Sequence, residues 1–179
     1  TEIYTLSLHD ALPISVLVAA NNITEDNLNE VVTMSHEAID YSYSGGGSTS
    51  GFSEDEEVTV RDLFYGTILP SGGDAAAQLA IYVAGDIESF VDMMNDKAEE
   101  LGMTGTHFVD CCGLSDSDDH YTCARDVAIM SRELTTKYPE IFNYTRIWME
   151  DIVHETRQGS SIFTLNSTNK LLKQYPYAT

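Results

Sequence analysis

The fold is decided by residues 60–85, which have the sequence VRDLFYGTILPSGGDAAAQLAIYVAG. Thr59 and Asp62 have the spacing of a capping box, so a helix is predicted to begin at residue 60. Pro70 has no backbone N–H and cannot continue that helix. The first part of the stretch is therefore predicted to be a helix that ends before Pro70.

A second helix is predicted after a short turn. Asp74 is a good N-cap residue, and Gly85 suits the helix end because glycine readily adopts the left-handed conformation found there. The turn itself is Ser-Gly-Gly, at residues 71–73. Glycine lets a ligand approach the backbone closely, and loops held by rigid elements commonly carry chemistry. This turn is the first candidate for a functional site.

Length and composition indicate one soluble globular domain. The chain has 179 residues, of which 42% are hydrophobic and 21% charged, so it can bury a core. The 29 acidic residues outnumber the 9 basic ones and give a net charge of -20. Such a chain repels phosphate backbones and anionic lipids, so no nucleic-acid partner is expected. No apolar run approaches 18 residues, so no transmembrane segment is expected either.

Three cysteines, Cys111, Cys112 and Cys123, lie close together in the sequence. They form no C-x-x-C pair and have no matching set of histidines, so no metal site is expected. Two interpretations remain: buried free thiols, or a local disulfide in an oxidising extracytoplasmic compartment. We predict the disulfide, from Cys123 to Cys112 or Cys111, with Cys112 as the first choice.

The remaining chain predicts an α+β, helix-rich fold. Asp86 can cap an amphipathic helix that ends at Gly102. Alternating and β-branched residues around 147–153 and 162–165 flank turn residues at 158–160, which predicts a β-hairpin.

Residues 63–85, LFYGTILPSGGDAAAQLAIYVAG, resemble the segment around the S-x-N motif of serine-type D-Ala-D-Ala carboxypeptidases. These are low-molecular-weight penicillin-binding proteins of bacterial cell walls. The resemblance continues in order through FVDMMNDKAEELGMTGTHFVDCCGL at 90–114 and HYTCARDVAIMSREL at 120–134. It implies a DD-peptidase/β-lactamase-like fold, with an antiparallel sheet flanked by helices, of which this chain is a part truncated at both ends.

The family pattern also implies a domain boundary. Residues 1–15, TEIYTLSLHDALPIS, match nothing in the family and are predicted to be an artefactual leader; residues 16–179 form a partial catalytic domain. The family places S-x-x-K, with its acylated serine, just before the helix that contains residues 16–20. Neither Ser7 nor Ser15 begins such a motif, because the fourth positions are Asp10 and Val18. The family's K-T-G motif is absent.

The resemblance implies acyl transfer: a serine attacks the penultimate D-Ala carbonyl of a peptidoglycan stem peptide, and β-lactams react with the same serine. Ser71 matches the catalytic serine of S-x-N, which shuttles a proton to the leaving group. Gly73 stands at the substrate-binding position where the family has Asn, and it has no side-chain amide. No cofactor is implied, and the expected location is extracytoplasmic.

This chain alone is predicted to be inactive, because the nucleophile, its lysine partner and the carboxylate clamp are missing. The first alternative is a non-catalytic cell-wall-binding pseudoenzyme module. A further alternative is an acidic surface interaction protein with only the fold in common.

Overall fold

The computed structural model describes residues 3–5, 8–156 and 159–174, and for residues 3–5 and 8–10 it describes the backbone only. The helices are α1 (Leu8–Asn22), α2 (His36–Ser44), α3 (Val60–Ile68), α4 (Gly73–Ala84), α5 (Ile87–Glu100), α6 (Ala124–Lys137), α7 (Phe142–Thr145) and α8 (Leu171–Gln174). The strands are β1 (Ile3–Thr5), β2 (Val31–Thr33), β3 (Glu57–Thr59), β4 (Tyr121–Cys123), β5 (Met149–Thr156) and β6 (Gly159–Asn166). Short 3₁₀ helices cover Glu25–Asn29 and Pro139–Ile141. The α+β, helix-rich fold class is confirmed.

The strands form two antiparallel groups. The larger is a four-stranded sheet in the order β2-β3-β5-β6, and the smaller pairs β1 with β4. Strands β5 and β6 form the predicted hairpin, with a register that runs from Met149 opposite Asn166 to Thr156 opposite Gly159. Of the predicted turn at 158–160, residue 158 lies outside the described residues. Most of the strand pairing in this sheet lies within the hairpin. Strand β3 pairs with β5 at a single position, where Glu57 lies opposite Glu155.

Helix α3 begins as the capping pattern predicts. The Thr59 hydroxyl accepts the N–H of Asp62 at 3.1 Å, and the Asp62 carboxylate accepts the N–H of Thr59 at 2.9 Å. Both N–H groups lack partners within the helix, so the exchange satisfies two donors at once. At the far end of the stretch Gly85 has φ 91° and terminates α4 in the left-handed conformation.

Helix α4 lies at the centre of the helical layer and packs against α1, α2, α3 and α5. All eight residues from 73 to 80 are buried. Four of them are alanines, whose small side chains let neighbouring helices approach closely. The turn at residues 71–73 is therefore anchored to a helix whose first eight residues are all buried.

Helix α5 presents one apolar face to this core. Asp86 caps it as predicted, because its carboxylate accepts the N–H of Ser89 at 2.7 Å. Phe90 and Met94, one turn apart on the predicted face, are both fully buried.

The domain boundary at residue 15 stays a prediction, but part of the predicted leader is buried in the structure. Helix α1 begins at Leu8, and Ala11 and Ile14 are fully buried in it. The Ser15 hydroxyl also donates to the Cys111 carbonyl oxygen at 2.6 Å. Apart from the half-buried Pro13, the apolar residues from 11 to 19 are buried on one continuous helix, so residues on both sides of position 15 contribute to the core.

None of the helices in the described part of the chain is long and apolar enough to cross a membrane.

We predict that Ile14→Ala lowers the free energy of unfolding by about 2–5 kcal/mol, because it leaves a cavity in the core. Urea denaturation followed by circular dichroism would measure this. The matched control is Val31→Ala at a side chain that is 63% exposed, with a change within about 0.5 kcal/mol. Equal stability of the two variants would contradict the inclusion of residues 11–15 in the core.

Candidate active-site turn

The turn between α3 and α4 has an unusual backbone. Ser71 is buried and has φ 58°, and among the described non-glycine residues only Asp55 shares such a positive value. Left-handed backbone is costly for a residue with a side chain, and it persists only where the surroundings impose it. The Gly72 N–H donates to the Gly66 carbonyl at 3.0 Å, and the Gly73 N–H donates to the Ser48 carbonyl at 2.8 Å. These two bonds hold the predicted catalytic serine in one conformation.

Asp74 does not act as the helix cap that the sequence predicts. The N-cap is Gly72, so Asp74 is the second residue of α4 and is buried. Its Oδ1 accepts the N–H and the hydroxyl of Ser50, at 2.8 Å and 2.7 Å, and the N–H of Ala75 at 2.9 Å. These donors and the positive end of the helix dipole offset the burial of the carboxylate. Asp74 thus ties a distant loop to the turn.

Gly72 leaves no room for a side chain. A Cβ at this position would lie 2.6 Å from the Gly66 carbonyl oxygen and 2.8 Å from the Ser50 nitrogen. Both are backbone atoms that cannot move away alone. Glycine is needed here because three backbone segments meet.

Gly73, the predicted substrate-binding position, is crowded by a side chain. A Cβ here would lie 2.9 Å from the Ser42 hydroxyl oxygen. That hydroxyl is buried and donates to the Ser48 carbonyl at 2.9 Å. A larger residue at position 73 would therefore displace the Ser42 hydroxyl. The structure offers no side-chain amide at this position.

The loop after α5 supports the turn from behind. The Cys112 Sγ lies 3.4 Å from the Gly73 carbonyl oxygen. Within the loop the Asp110 carboxylate accepts the N–H groups of Cys112 at 2.7 Å and Ser115 at 2.6 Å, and that of Gly113. These hydrogen bonds to the Asp110 carboxylate fix the conformation of the loop and place Cys112 against the turn.

His120 completes this support and was missed by sequence reasoning. It is fully buried, its Nδ1 accepts the Val109 N–H at 3.0 Å, and its Nε2 lies 3.9 Å from Asp110 Oδ2. The acceptor role of Nδ1 assigns the ring proton to Nε2. Burial lowers the pKa of His120, against the opposing effect of the Asp110 charge. The only sequence signal was its place in the HYTCARD run.

The predicted disulfide is wrong: all three cysteines are free and buried. Cys112 faces the Gly73 carbonyl, whereas Cys123 ends β4 and packs against Gly105. The Cys111 and Cys112 sulfurs are 3.3 Å apart. Their hydrogen bond and burial raise the pKa of the Cys112 thiol, so it stays protonated and is a poor nucleophile.

A literal S-x-x-K occurs far from α1 in the sequence, at Ser167 to Lys170. The Ser167 hydroxyl accepts the N–H of Asn169 at 3.1 Å, and helix α8 begins only at Leu171. The two residues therefore do not lie on one helical turn, which is what the motif requires. The segment does reach the site, since the Thr168 N–H donates to the Leu69 carbonyl at 2.9 Å.

Two cavities lie near this region. Ser71 lines one of about 200 Å³, together with Pro13 and Val16 of α1. A larger cavity of about 320 Å³ has an aromatic wall that includes Tyr144, and Ser71 is not part of its lining. Ligand sites are usually large cavities, so size alone makes the larger cavity the better candidate for a ligand site. The strained turn at Ser71, however, lines the smaller cavity.

We predict that Gly72→Ala destabilises the protein by about 1–3 kcal/mol, because its Cβ would meet backbone atoms. Gly73→Ala is the matched control, since the shortest contact of its Cβ, at 2.9 Å, is with the Ser42 hydroxyl oxygen, a side-chain atom that can rotate. Thermal and urea unfolding of both variants would measure the difference. An equal or larger loss in Gly73→Ala would contradict the packing described for the turn.

The lowered pKa of His120 predicts a pH dependence of stability. The unfolded chain takes up a proton below about pH 6.5, whereas the folded histidine takes it up only at lower pH, so stability falls as pH drops through that value. The contribution cannot exceed about 1.4 kcal/mol per pH unit, the limit for one proton. Urea unfolding from pH 8 to pH 5 would measure it.

The variant His120→Asn keeps an acceptor for the Val109 N–H and removes the titration, so its stability should fall less below about pH 6.5. His36→Asn is the control, because the His36 side chain is 75% exposed. A parallel pH profile for His120→Asn and the unmodified chain would refute the assignment.

Comparison with known proteins identifies the family of this chain. The family model for D-alanyl-D-alanine carboxypeptidase, peptidase S11, matches residues 11–178. D-alanyl-D-alanine carboxypeptidase DacF of Bacillus subtilis is 39% identical over 137 residues, which cover 76% of this chain and 34% of DacF. DacD of Escherichia coli is 37% identical over 128 residues, with 70% and 32% covered.

A solved structure extends the match to the fold. The Streptomyces K15 DD-transpeptidase superposes with a TM-score of 0.84 at 27% identity, over 97% of this chain and 68% of that protein. This chain spans about a third of the length of the two curated relatives. The chain belongs to the D-alanyl-D-alanine carboxypeptidase family, peptidase S11.

Proposed function

We propose that this chain is part of an extracytoplasmic D-alanyl-D-alanine carboxypeptidase that trims the terminal D-Ala from peptidoglycan stem peptides. The observation that carries the proposal is the Ser71 turn, with its left-handed serine held by backbone bonds to Gly66 and Ser48. Family membership supports the reaction class. In the complete enzyme β-lactams are expected to acylate the nucleophilic serine. The chain has 29 acidic and 9 basic residues, and its net charge of -20 argues against a nucleic-acid partner.

The role of Ser71 is proton transfer. When the acyl-enzyme forms, the amide bond to the terminal D-Ala breaks and the leaving nitrogen must gain a proton. A hydroxyl on a rigid turn can relay it from the base that deprotonated the nucleophile. Water then attacks the ester and releases the shortened peptide. The buried environment and strained backbone of Ser71 suit a positioned relay better than a mobile surface serine.

The 179-residue chain is proposed to be inactive by itself. No S-x-x-K stands at the start of α1, and the sequence contains no K-T-G. Without a nucleophile and its lysine, no covalent intermediate can form, whatever Ser71 contributes.

A second candidate is a non-catalytic module that binds the cell wall. It is favoured by Gly73, where the Ser42 hydroxyl occupies the space that a side chain would need. Loss of the substrate-binding amide is expected in a protein that no longer performs the reaction.

The test compares three proteins: this chain, the protein completed with its flanking genomic sequence, and the completed protein with Ser71→Ala. We predict that fluorescent penicillin labels the completed protein and not this chain. Ser71→Ala is expected to lower the kcat for D-Ala release by about 10²–10⁴-fold, as for removal of an acid-base group. Excess unlabelled penicillin is the control for specific labelling.

Specific labelling of the 179-residue chain would overturn its proposed inactivity. A completed protein that binds peptidoglycan in a pull-down but is not labelled and releases no D-Ala would establish the non-catalytic candidate instead.

A further inference from the structure

Strand β6 differs in charge from the rest of the chain. Its sequence, GSSIFTLN, has no ionisable side chain, although the chain carries a net charge of -20. It lies at one end of the sheet order β2-β3-β5-β6. Within the described residues only β5 pairs with it. Its second edge can therefore accept another strand, and exposed edges readily do so.

The hairpin also leaves an apolar pair in water. Val153 of β5 faces Ile162 of β6, and their side chains are 52% and 71% exposed. On the opposite face Ile152 pairs with Phe163, and Ile152 is buried. We call the face that carries Val153 and Ile162 the outer face. An uncharged edge beside an exposed apolar pair has the features of an association surface.

We propose that two copies of this chain associate by antiparallel pairing of their β6 strands about a two-fold axis, which doubles the sheet. The inference is independent of the enzymatic activity proposed above. The partner is a second copy of this chain because β6 carries no charge. Two chains with the same strong negative charge can approach most closely where neither carries charge. The opposite edge strand, β2, has only three residues and cannot offer an equal partner.

The symmetry restricts the register. An axis perpendicular to the sheet keeps the outer faces of both copies on the same side, so directly opposed residues must share a face. Centring the axis at Ile162 satisfies this rule and places Ser160 opposite Thr164. It also extends the Val153–Ile162 pair into a row of four apolar side chains across the axis. Such cross-strand pairs are the main stabilising contacts between strands.

The nearest acidic groups lie one strand away from the edge. The Asp151 carboxylate accepts the Thr164 hydroxyl at 2.6 Å, and the Glu155 carboxylate accepts the Ser160 hydroxyl at 2.5 Å. Both are on β5 and are set back from the two-fold axis. The repulsion that opposes pairing is therefore long-range and should be screened by salt. Association is expected to strengthen as salt is added, the reverse of an interface held by ion pairs.

Sedimentation velocity of the 179-residue chain tests the salt dependence. Between about 0.1 M and 1 M NaCl the Debye length falls from about 10 Å to 3 Å, and the dimer fraction should rise. Ile162→Lys should weaken the dimer by at least about tenfold, because it sets two like charges opposite each other. Val31→Lys makes the same charge change at the other edge, at a 63% exposed residue, and should leave the dimer intact.

Disulfide trapping tests the register. Ile162→Cys should form a covalent dimer on mild oxidation, because directly opposed strand residues are within disulfide reach. Thr164→Cys is the control: its two copies would be four residues, or about 13 Å, apart along the strand. The native cysteines are buried and do not compete. A monomer at both salt concentrations, a dimer unaffected by Ile162→Lys, or equal cross-linking at positions 162 and 164 would overturn the proposal.

Discussion

The buried carboxylate of Asp74 is the interaction on which the site depends. One oxygen accepts the N–H and hydroxyl of Ser50 and the N–H of Ala75, and these bonds offset the cost of burying a charge. They also draw the loop that contains Ser50 against the start of α4. Gly72 must then pass between Gly66 and Ser50 without a side chain. The chain has only a few residues in which to leave α3 and enter α4, and the left-handed backbone of Ser71 accommodates that reversal.

A second buried carboxylate organises the other side of the turn. Asp110 accepts backbone N–H groups from three residues of its own loop, and this loop holds Cys112 against Gly73. Two other buried acids have a basic neighbour, since Glu56 lies beside His154 and Asp126 lies 3.1 Å from Arg125. The hydrogen bonds of Asp74 and Asp110 come mainly from backbone N–H donors, and Asp74 adds a hydroxyl. Such donors have fixed positions in the backbone, so they define geometry more strictly than flexible lysine side chains would.

Sequence reasoning succeeded where cause and effect lie within one turn of helix or one hairpin. The Thr59–Asp62 capping box, the Asp86 cap, the Gly85 terminus and the β5–β6 hairpin all formed as predicted. It failed for Asp74, because the partner that determines its role, Ser50, lies 24 residues earlier in the chain. It failed for the predicted disulfide, because proximity in sequence does not determine the direction in which two thiols point.

The sequence by itself determined the family, the helix-turn-helix of residues 60–85 and the serine at its centre, since capping, proline and glycine act through local backbone geometry. Only the tertiary structure decided that Ser71 is buried and left-handed, that residues 11–15 belong to the core and that His120 supports the loop behind Gly73. Each of these depends on groups that are distant in sequence and meet only after α1, α4 and the Asp110 loop have packed together.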